Sequence, residues 1–583
     1  MDTLTDMIDF YADTSPEARA LVFLNNGEEV EASLTYRELR TRSMFLALTM
    51  RRYVSRNSRA VLLFPPGLDF IVAFFAALYA GIIAVPQPLQ RRHLKKLEAV
   101  IWDSGASMVI GPESALARVQ RELQMQRPMY WIPYPAPPPT QASDDALEPR
   151  MRSDIALLQY TSGTTGGSKG VILTHGNIMA NQRHISDCFG HQAGLVGVSW
   201  LPAYHDMGLI GGILQPLFKG GVAVLMSPTA FLQKPVRWLA AISRFEAHSS
   251  GAPNFAYDIC VDRISLEQED CIDLRHWQVA FVGAESVRSE TLERFAQRFA
   301  RRGLSGGALY PCYGLAEATL FVTGAEKGHG PTIKSFDWGS VYGLRNETNE
   351  RGERPLRLTS SGRITSHVHV TIIDPSSRCV LPERTLGEIK VDGPSVSPGY
   401  WSADADSGRN AYPHIDGALP RTVLTKDLGF VCDGELFVVG RSDDAIVFDG
   451  RNFYPQDFEV ALSAFDELLN QSRAIVFATL LTGRPELVLA VELNAHCNSE
   501  PARLSDIIFD VRQAFADEMN VILSGVQVLP KAALPMTSSG KVKKLEYRRL
   551  FEMNACNPLA EWVSRGLRNK LDQGSGVNAP AHP

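Results

Sequence analysis

From about residue 60 onward, short apolar runs alternate with amphipathic segments, and that rhythm confines the chain to sheets covered by helices. One complete unit displays it. Val279-Ala280-Phe281-Val282 reads as a strand ending at Gly283, Ser289 stands as a candidate N-cap, and Leu292, Phe295 and Phe299 fall on one helical face before Gly303. The most apolar stretch, Phe70 to Pro86, is uncharged and nearly long enough to span a bilayer, but its punctuation argues otherwise. Pro65, Pro66 and Gly67 mark a start, Gly81 sits where a helix C-cap glycine belongs, and Ile82-Ile83-Ala84-Val85 has strand character. A buried helix followed by a strand is expected. At 583 residues the chain is several times the usual size of one domain, so the fold class is α/β with at least two cores.

The second core is expected after Gly440-Arg441-Ser442-Asp443-Asp444, where elements become fewer and more widely separated. This divides the chain into a large N-terminal domain over 1–440 and a small α+β domain over 441–573. A Gly/Ala/Pro-rich tail over 574–583 is expected to be disordered. In the small domain the pattern predicts a helix entered through Pro455 with Phe458, Leu462 and Phe465 inward. Strands follow at Ala474 to Leu480 and Leu487 to Leu493, then a helix around Leu504 to Met519. The proline-rich segment Ile132 to Arg150 reads as a surface loop.

Composition removes several function classes. The 58 basic and 64 acidic residues give a net charge of -6, so no basic field is available for a nucleic-acid backbone, and no nucleic acid is expected as a partner. Hydrophobic residues at 45% and charged residues at 21% argue against a disordered chain. The eight cysteines form no C-x-x-C pair, which removes the usual zinc and redox spacings and leaves reduced thiols as the expectation. The start, Met1 to Asp6, is acidic and lacks the features of a secretory signal. A cytoplasmic enzyme without a membrane span fits these facts.

The chemistry centres on Tyr160-Thr161-Ser162-Gly163-Thr164-Thr165-Gly166-Gly167-Ser168-Lys169-Gly170, set between the strand-like runs Ile155 to Leu158 and Val171 to Leu173. Its glycines let backbone approach an anion, its hydroxyls offer donors, and Lys169 adds a point charge, so it reads as a phosphate loop. A Walker A loop is excluded, because Ser168 occupies the second glycine position and Gly170 follows the lysine.

This loop resembles the signature of the adenylate-forming superfamily, which includes acyl-CoA synthetases, luciferases and nonribosomal adenylation domains. Further resembling motifs follow in the family's order: Tyr313-Gly314-Leu315-Ala316-Glu317, Thr425-Lys426-Asp427, Gly440 to Asp444, and Pro535-Met536-Thr537-Ser538-Ser539-Gly540-Lys541. The resemblance implies a large N-terminal adenylate-forming domain of layered sheets and helices and a small mobile C-terminal domain. It also implies ATP and Mg²⁺ as cofactors. Thr161, Ser162, Gly163, Thr164, Thr165, Gly166 and Lys169 would bind phosphate, Gly283, Ala284 and Glu285 would border the adenine, and Tyr313 would stack on it, with Gly314 beside it in the nucleotide site. Glu317 would hold the metal, Asp427 would accept the ribose hydroxyls, Arg441 would reach ribose or phosphate, and Lys541 would bridge the reacting carboxylate and α-phosphate. Asp443 would be the pivot of the smaller domain. Lys426 departs from the family's Thr-Gly-Asp, which places a charged side chain where a glycine turn is usual.

Longer stretches resemble one branch, the fatty acyl-AMP ligases: Leu201-Pro202-Ala203-Tyr204-His205-Asp206-Met207-Gly208, Ser227 to Pro235, Pro253 to Asp258, Tyr310-Pro311-Cys312-Tyr313 and Gly450 to Asp457. The branch implies a medium or long fatty acid as substrate and, as acceptor, the phosphopantetheine thiol of an acyl carrier protein feeding polyketide, lipopeptide or lipid assembly. His205 would face the substrate carboxylate, and Leu209 to Leu214 with Phe231-Leu232 would wall the acyl tail. An insertion characteristic of the branch, thought to hinder use of CoA, would correspond to Thr323 to Leu358. Three alternatives stand beside this reading. A fatty acyl-CoA synthetase shares the first step. An amino-acid adenylation domain would need an acid such as Asp206 for the substrate ammonium, and an inactive acyl- or nucleotide-binding protein would have no need of Lys169, Glu317, Asp427 and Lys541.

Overall fold

In the computed structural model, the residues described are 1–89, 94–123, 128–135, 147–162, 168–336, 356–401, 421–442, 446–448, 451–453, 458, 461–465, 467–494, 501–519, 521–536 and 542–574. The chain forms two compact units, Met1–Lys334 with Leu358–Thr425 and Phe430–Phe437, and Ser335–Arg357 with Lys426–Gly429 and Val438–Pro583.

Two large sheets build the first unit. Its strands, in chain order, are β1 (Arg19–Asn25), β2 (Glu29–Thr35), β3 (Arg59–Phe64), β4 (Ile83–Pro88), β5 (Met108–Pro112), β6 (Tyr130–Tyr134), β7 (Ile155–Ser162), β8 (Ser168–Thr174), β9 (Val196–Ser199), β10 (Val222–Leu225), β11 (Ser249–Ala252), β12 (Val279–Val282), β13 (Leu309–Gly314) and β14 (Phe321–Gly324). A six-stranded sheet runs β6-β5-β3-β4-β7-β8 and an eight-stranded one β14-β13-β12-β11-β9-β10-β1-β2. Each is parallel inside and gains antiparallel strands at its edges, β8 on β7 in the first, and β14 on β13 and β2 on β1 in the second.

The uncharged stretch resolves as read from sequence. The helix Leu68–Ala80 ends on Gly81 with φ +65°, and β4 follows. Every residue of this helix except Asp69 is buried, as an all-round apolar helix requires. One core cluster takes in this helix together with residues of both sheets, among them Leu62 and Ile110 from one and Leu225 and Phe281 from the other. Helices between two sheets thus fill the centre of the unit. Among the described residues, no helix is long and apolar enough to cross a membrane.

The unit after β12 differs from expectation at one point. Its helix spans Ser289–Phe299 with Leu292, Phe295 and Phe299 fully buried, but Arg288 is the N-cap and Ser289 the first helical residue. The reason is tertiary. The Arg288 amide donates to Asn254 Oδ1 at 3.1 Å and its guanidinium to Asp258 at 2.6 Å, which hold the entry to the helix. The proline-rich segment also starts later than its composition suggested, because Tyr130 to Tyr134 pair in parallel with Met108 to Pro112. Residues 136–146 lie outside the described residues.

Strands β15 (Ile333–Phe336) and β16 (Leu356–Thr359) pair as a two-stranded sheet. Most of the expected insertion, 337–355, lies outside the described residues. A four-stranded sheet follows in the order β17 (His369–Ile373), β18 (Gly387–Asp392), β19 (Thr422–Cys432) and β20 (Glu435–Arg441).

The second unit contains the hairpin β21 (Ile446–Phe448) with β22 (Arg451–Phe453) and a sheet β23 (Leu469–Thr479), β24 (Glu486–Leu493), β25 (Leu523–Leu529) and β26 (Ala560–Val563), paired in that order. The helix Pro501–Met519 buries Leu504, Ile507, Ile508, Val511 and Phe515 against it. Phe458 and Leu462 are buried in the same cluster and Phe465 packs against it, whereas Pro455 lies outside the described residues. β23 begins five residues before the expected Ala474, with a register shift between Asn470 and Ala474 that the polar run Asn470-Gln471-Ser472-Arg473 conceals. Seven of the cysteines are described and all are free thiols. The tail 575–583 lies outside the described residues, while Gly574 ends the helix Arg565–Gly574.

Candidate active site

The glycine-rich motif joins β7 to β8. These antiparallel strands pair Thr161 with Lys169 and Ser162 with Ser168, so the ends of the loop are held together by the sheet. Gly163, Thr164, Thr165 and Gly166 lie outside the described residues. Tyr160 anchors the base of the motif, its hydroxyl donating to Asp103 at 2.5 Å. Burial and the adjacent carboxylate push this phenol well above its usual range, so it stays a donor. The Lys169 side chain is exposed.

A second segment is tied along β8. The Ile172 amide donates to Gly399 at 2.9 Å, the Trp401 amide to Gly170 at 2.7 Å, and Val171 bridges Tyr400 in antiparallel fashion. Ser397 fastens the same segment twice, its hydroxyl donating to the Ile172 carbonyl at 2.6 Å and its amide to the Glu317 carbonyl at 2.8 Å. These bonds bring together residues far apart in sequence. Lys169 Nζ lies 5.2 Å from the centroid of the Tyr400 ring, and the Tyr400 hydroxyl donates to Glu317 Oε1 at 2.6 Å. Lys169 and Glu317 were read from sequence. Tyr400 was not, and the only sequence mark it carries is a Pro398-Gly399 turn followed by paired aromatics.

Glu317 sits in the short 3-10 turn Ala316–Ala318, placed by the edge of the eight-stranded sheet. β13 ends at Gly314, and a Cβ there would lie 1.8 Å from the Leu320 carbonyl oxygen, so only glycine lets the chain fold back into β14. The Leu315 amide donates to that same carbonyl at 2.9 Å. Thr319, buried and with φ +74°, donates its hydroxyl to Ser395 at 2.6 Å and closes the turn. Tyr313 is a buried member of β13, paired with Thr323.

The carboxylate of Glu317 is partly exposed, with one oxygen engaged by Tyr400. Among the described residues there is no cluster of three or more His, Cys, Asp or Glu able to hold a metal. This donor set fits Mg²⁺, which binds through one or two carboxylates and takes its remaining oxygens from phosphates and water.

Gly283, Ala284 and Glu285 follow β12 as a turn. Ala284 is exposed with φ +69°, and Glu285 Oε1 accepts from the backbone amide and side-chain amide of Asn254 at 2.9 and 3.0 Å. Asn254, almost wholly buried, also donates to the Ser286 carbonyl at 2.9 Å and so pins the turn. In the sequence Asn254 is marked only as part of the stretch Pro253 to Asp258, and nothing local signals this role.

His205 lies at the entrance of the π-helix Met207–Leu214, its carbonyl accepting from Leu209 at 2.8 Å and its ring 4.7 Å from that of Tyr204. Gln159 of β7 donates to the Tyr204 carbonyl at 2.8 Å, linking this stretch to the strand that leads into the phosphate loop. The π-helix is a recurrent feature of functional sites. Asp206 caps it, accepting from the Met207 amide at 2.8 Å. Of the residues expected to wall the acyl tail, Leu209, Ile210, Ile213, Leu214 and Phe231 are all buried, Phe231 stacked on Trp200 at 4.1 Å, and Leu232 is exposed. Phe231 fills the core because Trp200 and Trp238 close round it.

In the second unit, Asp427 is buried and accepts from Arg441 Nη1 at 3.0 Å. Lys426 before it has φ +61°, the left-handed conformation that glycine adopts without strain, and its carbonyl accepts from the Ser442 hydroxyl at 3.0 Å. Lys541 and Asp443 lie outside the described residues. Met536 and Val542, on either side of 537–541, form an antiparallel bridge.

A family profile described as AMP-binding enzyme matches residues 9–401. The chain is 34% identical over 582 residues to the medium-chain-fatty-acid–[acyl-carrier-protein] ligase JamA of Moorena producens, covering 97% of both proteins. Its fold matches a solved fatty acyl-adenylate ligase from work on the E. coli and L. pneumophila enzymes with a TM-score of 0.84, at 28% identity over 95% of this chain and 98% of that one. The L. pneumophila fatty acyl-adenylate ligase solved with acyl adenylate and pyrophosphate matches at 32% identity, TM-score 0.70, over 97% of this chain and 98% of that one.

Proposed function

The chain belongs to the AMP-binding enzyme family, within its fatty acyl-AMP ligases; from that premise we propose that it activates a medium- or long-chain fatty acid with ATP and passes the acyl group to the phosphopantetheine thiol of an acyl carrier protein. The observation that carries this reading is end-to-end similarity to a ligase named for that acid and that acceptor. We place the reaction in the cytoplasm, where ATP and carrier proteins meet.

In the first step a carboxylate oxygen attacks the α-phosphorus of ATP. The bond from that phosphorus to the bridging oxygen breaks, and pyrophosphate leaves. Two anions must approach, so cationic and oriented donors at the phosphoryl oxygens carry much of the rate. Lys169 and the loop between β7 and β8 supply them, and Lys541 adds a second cation between the carboxylate and the α-phosphate. Glu317 holds Mg²⁺, which when bound neutralises phosphoryl charge as a Lewis acid. Asp427, an acceptor-only carboxylate, takes the ribose hydroxyls, with Arg441 holding it in place.

In the second step the thiol sulfur attacks the acyl carbonyl carbon, the bond to AMP breaks and AMP departs, while the thiol proton is lost to solvent or base. The acyl-adenylate is a mixed anhydride that water would hydrolyse, so closure must exclude water between the steps. Residues 1–440 serve as the adenylating domain and 441–573 as a mobile lid pivoting at Asp443, which brings Lys541 in for the first step and removes it for the second.

The test is fatty-acid-dependent exchange of labelled pyrophosphate into ATP over a series of chain lengths. Exchange that rises with medium or long acids is expected. No exchange with any acid would favour the inactive binding protein instead.

A further inference from the structure

The Tyr400 contacts join two groups that the proposed reaction uses separately. Lys169 belongs to the phosphate loop, and Glu317 to a turn at the edge of the other sheet. Between them stands one partly buried aromatic residue, fixed by backbone bonds on both sides: Val171 bridges it and the Trp401 amide after it donates to Gly170. The hydroxyl-to-carboxylate distance of 2.6 Å is that of a charge-assisted O–H···O⁻ bond. At 5.2 Å from the centroid, Lys169 Nζ is within the range of attraction to the ring face.

We propose that Tyr400 is a positioning residue that couples the phosphate-loop lysine to the metal-binding carboxylate. Its hydroxyl occupies Oε1 of Glu317 and so fixes the orientation in which the other oxygen meets a divalent cation carried by the nucleotide. Its ring gives Lys169 a resting place before phosphate arrives. The proposal rests on the reading of Glu317 as the metal carboxylate and Lys169 as a phosphate ligand.

Three single variants, Tyr400→Phe, Tyr400→Leu and Glu317→Gln, and the double variant Tyr400→Phe with Glu317→Gln test it. For each, calorimetry measures binding of ATP with Mg²⁺ and with EDTA, pyrophosphate exchange is titrated with Mg²⁺, and thermal unfolding reports on the fold. Tyr400→Phe keeps the ring and loses the hydroxyl. It is expected to raise the Mg²⁺ concentration for half-maximal exchange by about tenfold, the range for loss of a bond to a metal ligand, while metal-free ATP binding and melting stay as in the wild type. Tyr400→Leu is expected to show the same Mg²⁺ shift and, in addition, altered metal-free ATP binding.

Wild-type Mg²⁺ dependence in Tyr400→Phe, with a shift in Glu317→Gln, would overturn the coupling and leave the metal reading intact. No shift in Glu317→Gln would overturn both. Additive effects of Tyr400→Phe and Glu317→Gln on Mg²⁺ dependence in the double variant would also overturn the proposal, because the hydroxyl is held to act only through that carboxylate.

Discussion

Replacing Gly314 by alanine strikes the turn that carries Glu317 without touching its carboxylate. The added Cβ would lie 1.8 Å from the Leu320 carbonyl oxygen, 2.8 Å from its carbon and 3.2 Å from Phe321 Cα, all of them backbone atoms. No side chain can rotate away. Real Cβ contacts essentially never fall under 3.0 Å, so the Gly314 and Leu320 segments must part by more than 1 Å. That displacement threatens the Leu315 amide bond to Leu320, at 2.9 Å. Overpacking of this kind costs about 1–3 kcal/mol and the lost bond about 1 kcal/mol, so destabilisation of roughly 3 kcal/mol is expected. In a unit of this size that lowers the melting temperature by roughly 3–4 °C. Glu317 moves with the turn, and a misplacement of about 1 Å at a reacting centre lowers rates by about a hundredfold. Pyrophosphate exchange and thermal unfolding read the two effects. Gly566→Ala is the control, since nothing lies within 4 Å of its Cβ. A Gly314→Ala variant with wild-type exchange and an unshifted melt would refute the reasoning.

Lys541→Ala should abolish exchange while ATP binding by calorimetry and the melting temperature stay close to wild type; unchanged exchange contradicts the role given to that lysine. Lys426→Gly should relieve a left-handed lysine and raise stability by up to ~1 kcal/mol with exchange retained, checked by denaturant titration; a large loss of ATP affinity would show that the ammonium group matters at that position. Burial pushes the imidazole of His175 down to about 4 and those of His184 and His191 down to about 3, so each is neutral when folded and would take a proton at its ordinary value when unfolded. Their contribution is complete above pH 6.5 and is lost as the pH falls from there towards 4 for His175 and 3 for the others, by up to about 1.4 kcal/mol per pH unit for each. Melting temperatures measured down this range should fall, and less steeply in His175→Gln, in which one of the three protons is no longer taken up; equal slopes would contradict the assignment.

Much of the fold was legible because it is written in local period and punctuation. Gly81 divides a long apolar run into helix and strand, and Leu292, Phe295 and Phe299 mark a helical face that does pack inward. What escaped was set by partners distant in sequence. The helix after β12 starts where Asn254 and Asp258 hold Arg288, and β23 extends through a polar run because β24 pairs with it. The candidate site divides in the same way. Motifs single out Lys169 and Glu317, residues whose charge suits phosphate and metal. Tyr400 lies 83 residues from Glu317 and meets it through a segment that Ser397 fastens to β8, a contact that no local pattern encodes. Asn254 is of the same kind, an interior amide whose use appears once Glu285 has folded against it.

The central claim, transfer to a carrier protein after adenylation, is tested most directly by product analysis with Mg²⁺, ATP and labelled dodecanoic acid, offering CoA in one reaction and a phosphopantetheinylated acyl carrier protein in another. Acyl-AMP that persists in the presence of CoA and disappears into acyl carrier protein is the predicted result. Ready conversion to acyl-CoA, with no transfer to the carrier protein, would contradict it and make the enzyme a fatty acyl-CoA synthetase.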